Sequence, residues 1–117
     1  MRQYLIELSD EAFDALSAAE FDVLAERRRQ VEVEGYSAER DDSYDPGDLA
    51  RAGACYAAPD AVEWGSWTSR LGRSLCWPWD RRWWRISDRR RMLVKAAALI
   101  LAEIDRHDRA EAGKAAR

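Results

Sequence analysis

The stretch from Ser87 to Asp108 constrains this fold more than any other part of the chain. Ser87-Asp88 supplies a helix cap, and Leu93, Ala96, Ala97, Ile100 and Ile104 then recur at helical spacing, with Met92, Leu99 and Leu101 widening the stripe. A helix apolar over so much of its circumference needs neighbours on several sides. The spacing therefore predicts a central helix through about Asp108. A chain of 117 residues has room for one core around it. The fold class expected is mainly α, a small single domain over residues 1–117 with three to four helices.

The other elements follow from local chemistry. Residues 1–8 read as a short extended segment. Ser9-Asp10-Glu11 starts a helix with a hydroxyl cap followed by acids at the positive end of the dipole. Its pattern runs through Phe13, Leu16, Phe21, Leu24, Arg28 and Val31, with a break expected near Ser17 to Glu20, and stops at Gly35. Asp45-Pro46-Gly47 signals the next start, with Asp45 as cap and Pro46 in the first turn. Leu49, Ala52, Gly53 and Tyr56 then form one stripe, in which the small residues Ala52, Gly53 and Ala54 allow another helix to approach closely. Pro59 ends that element. Residues 60–86, punctuated by Gly65, Gly72 and Pro78, read as a long Trp-rich ordered loop with a short helical turn. Residues 110–117 read as a frayed tail.

Apolar residues make up 47% and charged residues 35%, a globular balance. No apolar run approaches the length of a membrane span, and Glu7 and Asp10 interrupt any secretory core at the start. A cytoplasmic protein is expected, with Cys55 and Cys76 as reduced thiols. Two cysteines and the single His107 offer no zinc-ligand spacing, so neither a metal nor another cofactor is expected. His107, near the end of the last helix, reads as a residue suited to the dipole there.

The net charge of −3 makes nucleic acid an unlikely partner, but the charge is unevenly spread. Glu32, Glu34, Glu39, Asp41, Asp42, Asp45 and Asp48 face only Arg40, whereas residues 70–95 are strongly basic. Two such halves are expected to meet each other.

The chemistry concentrates in Trp77-Pro78-Trp79-Asp80-Arg81-Arg82-Trp83-Trp84. Indole faces stack on planar rings and guanidinium groups grip phosphates, a combination suited to a nucleotide-derived ligand. The competing reading has the tryptophans clamping the loop onto the last helix, with arginines stacked on them. Arg89, Arg90 and Arg91 open the last helix, where cations oppose the dipole unless an anion is present. They read either as a phosphate site, with Lys95 within reach, or as ion-pair partners of Glu39, Asp41 or Asp42. Glu39, Asp41, Asp42 and Asp45 read as ligands to ribose or a base edge, or as holders of a divalent metal. The helical Glu-x-x-Glu pairs expected of an all-helical nucleotide hydrolase are absent.

The runs Glu26-Arg27-Arg28-Arg29-Gln30, Glu34-Gly35-Tyr36, Glu39-Arg40-Asp41-Asp42, Trp77-Pro78-Trp79-Asp80, Trp83-Trp84, Asp88-Arg89-Arg90-Arg91 and Leu93-Val94-Lys95-Ala96 resemble a family of small phage and prophage proteins of mostly unnamed function. The resemblance covers about residues 24–109. More distantly, the layout is similar to the RyR domain of ryanodine receptors and its bacterial relatives. There a Gly-aromatic step, a Glu-Arg-Asp-Asp-like stretch and a Pro-aromatic-Asp loop precede an Asp-Arg helix start. Against that layout, residues 53–76 are an insertion.

The phage resemblance implies a protein of the bacterial host cytoplasm that soaks up a host immune signal, a cyclic nucleotide or ADP-ribose derivative. Within that reading Trp77, Trp79, Trp83 and Trp84 form walls for a base. Arg89, Arg90, Arg91 and Lys95 hold phosphates, and Tyr36, Glu39, Arg40 and Asp41 orient ribose and base. No residue is read as catalytic. A homodimer or larger assembly is expected from the apolar surface left on so small a domain. The alternatives are a metal-dependent nucleotide hydrolase using Glu39, Asp41 and Asp42, and a nucleic-acid or host-protein binding module.

Overall fold

The computed structural model describes residues 10–62, 64 and 77–116. The extended segment expected over 1–8, and Cys76, lie outside them. The described residues are mainly helical: α1 (Asp10–Asp14), α2 (Ala18–Glu32), α3 (Ala38–Asp42), α4 (Asp48–Ala57) and α5 (Arg89–Ala115), with short 3-10 turns at Pro59–Ala61 and Arg81–Trp83. No helix among them is long and apolar enough to cross a membrane.

Capping explains where the helices begin. The break expected near Ser17 is a full capping box. The Ser17 hydroxyl accepts from the Glu20 amide at 3.1 Å, and the Glu20 carboxylate accepts from the Ser17 amide at 3.1 Å. Asp88 accepts from the Arg91 amide at 2.9 Å and starts α5. That helix runs to Ala115, beyond the end expected near Asp108. The α4 start differs from expectation. Asp45-Pro46-Gly47 forms a turn, closed by the Asp48 amide donating to the Asp45 carbonyl at 3.0 Å, and Gly47 at φ 91° takes the cap position. Helix α2 ends at Glu32, three residues before Gly35 enters the left-handed region at φ 73°.

Helix α5 is central, packing on α2, α3 and α4. Its closest neighbour is α4. A Cβ added to Gly53 would sit 3.0 Å from the Ala96 carbonyl oxygen and 3.2 Å from Ile100 Cγ1. The small residues of α4 thus let the two backbones approach, as their spacing suggests. Leu49, Ala52, Cys55 and Tyr56 of α4 form the core with Met92, Ala96, Leu99 and Ala102 of α5 and with Trp77.

Two buried faces differ from those the sequence suggests. On α5 the buried line is Met92, Ala96, Leu99 and Ala102, flanked by Val94 and Ala98, while Leu93, Ile100 and Ile104 stay substantially exposed. The buried line alternates bulky Met92 and Leu99 with small Ala96 and Ala102, which lets α4 approach closely, so the stripe is rotated away from Leu93, Ile100 and Ile104. On α2 the inward residues are Glu26 and Gln30, whereas Phe21, Arg28 and Val31 face outward. A polar face is tolerable there only because charge meets it. Glu26 receives Arg29 at 2.6 Å and Arg91 at 2.7 Å, and Asp22 receives Arg90 at 2.8 Å.

The acidic and basic halves meet only in part: Glu34 lines the same cleft as Arg85 and Lys95, but no ion pair joins the two runs among the described residues. Among the described residues, Asp42 pairs with Arg109 at 2.8 Å, Asp41 lies 3.6 Å from Arg27, Glu34 pairs with Arg29 and Asp48 with Arg51. All four of these cations lie outside residues 70–95.

Candidate functional site

A cleft of about 540 Å³ opens between the C-terminal half of α2, the turn into α3, and the Trp77–Arg85 segment, with α4 and α5 as its floor. Its walls carry Tyr36, Tyr44, Tyr56, Trp77, Trp79 and Trp83, together with the cations Arg29, Arg40, Arg85 and Lys95 and the acids Glu26, Glu34 and Asp80.

Local folding places the rings. The Trp77 indole N–H donates to the Asp80 carbonyl at 3.1 Å, and the Asp80 carboxylate accepts from the Arg82 amide at 2.9 Å, so Trp77 to Arg82 closes on itself as a compact turn. Trp77 stands edge-on to Tyr56, Trp79 and Trp84 at 5.4, 5.3 and 4.9 Å between centroids, and Trp84 stacks on Tyr56 at 4.7 Å. The Tyr56 hydroxyl accepts the Arg85 amide at 3.2 Å. The clamp and the binding-wall readings are therefore both embodied. Trp77 serves each, Trp84 lies in the clamp and does not line the cleft, and Trp79 and Trp83 line it. Stacked arginines accompany the clamp, with Arg81 4.6 Å from the Trp64 centroid and Arg82 5.3 Å from that of Trp83.

The cations of the cleft fall into two groups. Arg29 is held by Glu26 and Glu34. Arg40, Arg85 and Lys95 make no ion pair with any described residue. Arg40 lies 4.4 Å from the Tyr36 centroid, its Nε donating to the Tyr44 hydroxyl at 2.9 Å and its Nη1 to the Glu34 carbonyl at 3.2 Å. Arg85 donates to the Arg82 carbonyl at 2.8 Å. Lys95 Nζ sits 5.6 Å from the Tyr56 centroid and 3.5 Å from the Arg85 carbonyl. Burial, and then the nearby Arg91 charge, push Lys95 below its ordinary value. Burial pushes the Tyr36 and Tyr56 hydroxyls up, so both stay protonated and able to donate.

Of the residues singled out from sequence, the structure gathers Tyr36, Arg40, Trp77, Trp79, Trp83 and Lys95 on this cleft. Glu39 is exposed and away from it. Asp41 is wholly buried near Arg27, its carboxyl pushed up by burial against the pull of Arg27 and Arg109. Arg89 donates to the Ala57 carbonyl at 2.6 Å, Arg90 pairs with Asp22, and Arg91 with Glu26. Arg90 and Arg91 border a second, shallower groove of about 340 Å³, on the α2 side of the α5 start. The ion-pair reading of these arginines thus describes Arg90 and Arg91, but with acids of α2 in place of Glu39, Asp41 or Asp42. Among the described residues no group of three or more His, Cys, Asp or Glu side chains is placed to hold a metal ion.

Sequence reasoning missed Glu26, Arg29, Gln30, Tyr44, Tyr56 and Arg85. For Glu26 and Gln30 there was a signal: two polar residues four apart on a helix whose outward side carries Phe21 and Val31. Comparison with known proteins adds no assignment, since no family model, curated protein or solved structure matches the chain.

Proposed function

We propose that the cleft binds a small phosphorylated nucleotide derivative and holds it without chemical change. One observation carries the reading: Arg40, Arg85 and Lys95, three cations without a carboxylate partner among the described residues, share one concave wall with six aromatic rings. Rings offer stacking for a base, and unmatched cations in a partly buried cleft favour a phosphate. Preformed rings held edge to edge lose little freedom on binding, which suits tight capture. Following the resemblance to phage proteins, the proposed role is sequestration of a host's nucleotide signal, by a homodimer or larger assembly.

The test is a thermal-shift screen of the purified chain against cyclic di- and trinucleotides, cyclic ADP-ribose isomers, ADP-ribose, NAD and nucleoside phosphates. At least one compound should raise the melting temperature and be recovered intact after denaturation. Lys95→Met and Arg40→Met should each weaken that compound by about tenfold or more, the scale of a lost charge-assisted hydrogen bond. Arg90→Ala, away from the cleft, should not. Recovery of a cleaved product would replace the binder with an enzyme, and no shift with any compound would end the nucleotide reading. Sedimentation of the same sample checks the assembly, and a monomer at all concentrations would remove it from the proposal.

A further inference from the structure

Two polar groups on the cleft wall lack hydrogen-bond partners among the described residues. Gln30 is 3% exposed, and its Oε1 accepts from none of them; the indole N–H of half-buried Trp79 donates to none of them. Buried polar atoms are nearly always paired, because an unmatched donor or acceptor shut from water is costly. Here an enclosed acceptor and an enclosed donor belong to two residues that line the cleft carrying Arg40, Arg85 and Lys95, so a base that reaches them must displace the side chains around them slightly. Leucine at position 30 would fill similar space on α2 without that cost, so the amide is placed there against stability.

We infer that Gln30 and Trp79 determine specificity by reading the polar edge of a purine. This deepens the nucleotide reading above and rests on it. Gln30 Oε1 accepts from an amino or ring N–H of the base, and Trp79 Nε1 donates to a ring nitrogen or carbonyl oxygen. Adenine and guanine each present such a donor and acceptor side by side. Unsubstituted purine has the same ring nitrogens and size but no donor, so it leaves the glutamine oxygen unmatched. Because both groups are neutral, they add discrimination between bases without adding attraction for phosphate.

Calorimetric titration of the full chain with AMP, GMP and purine riboside 5′-monophosphate tests this. The wild type should bind AMP or GMP about tenfold to a hundredfold more tightly than the unsubstituted purine nucleotide, the cost range of an orphaned buried acceptor. In Gln30→Leu that gap should close to within about threefold, with affinity for purine riboside 5′-monophosphate kept or improved. Trp79→Phe keeps a stacking ring, removes the N–H and should narrow the gap as well. Circular dichroism confirms that each variant is folded, and the wild-type comparison decides even if one is not. Equal binding of all three nucleotides by the wild type, or a gap that survives in both folded variants, overturns the inference and leaves the nucleotide reading standing. Binding of none of the three overturns this inference, while the thermal-shift screen above decides the nucleotide reading.

Discussion

Gly53→Val is expected to destabilise the chain by about 3 kcal/mol or more, the upper range for forcing atoms into a packed seam. Even a single Cβ at this position would meet the Ala96 carbonyl oxygen at 3.0 Å, and a backbone atom cannot rotate aside. The branches of valine would add to that clash against Ile100 Cγ1 and Leu99 Cβ, at 3.2 and 3.6 Å from the Cβ. Helices α4 and α5 would have to separate, opening the largest contact in the core. Gly113→Ala is the matched control, because nothing lies within 4 Å of its added Cβ. There the better helix propensity of alanine should act alone and stabilise by up to about 1 kcal/mol. Urea unfolding of both variants against the wild type checks the pair. A Gly53→Val midpoint within error of the wild type would mean that the α4–α5 approach is not close.

Glu26→Gln is expected to cost about 2–4 kcal/mol, below the full loss for a buried ion pair because Arg29 and Arg91 are each 36% exposed and partly screened by water. The substitution keeps the volume but leaves two guanidinium groups facing one neutral amide. Its acid response carries the sign of the argument. Burial pushes the Glu26 carboxyl up, but hydrogen bonds and charge from Arg29 and Arg91 outweigh it and hold the group below its ordinary value of 4.5. A depressed folded value means that the stability is present above the unfolded value. It is lost as pH falls from about 4.5 through the folded value. Wild-type stability should therefore drop across that window, and the difference between wild type and Glu26→Gln should shrink with it. A difference that stays constant from pH 7 to pH 3 would assign the loss to packing instead.

How much of this was legible in the sequence depended on whether the signal was local. The α5 start at Asp88, the capping box at Ser17 and the small residues of α4 were readable because neighbouring residues decide caps and close approach. The inward face of α2 was not, because apolar periodicity points to Phe21 and Val31 while Arg90 and Arg91, more than sixty positions away, pair with Asp22 at the edge and with the buried Glu26. The same distance hid the fate of the arginine triplet. Its charge was visible, but its partners on α2 and at Ala57 were set by tertiary packing. The tryptophan turn and Lys95 were recognisable by residue type. Tyr56 and Gln30 were not, since an α4 stripe tyrosine and a mid-helix glutamine look ordinary until the fold sets them on one wall.

The polar inward face of α2 has a thermodynamic consequence. Most of the chain is joined by apolar area, whose exposure carries a large heat capacity and a steep response to urea. Lifting α2 from α5 would expose Glu26 and Gln30, break the pairs with Arg90 and Arg91 and uncover Val94, so it would carry less of either. Ionic strength becomes the main lever on that motion. Because α2 forms one wall of the cleft, salt would act on how readily the cleft opens as well as on the midpoint of global unfolding.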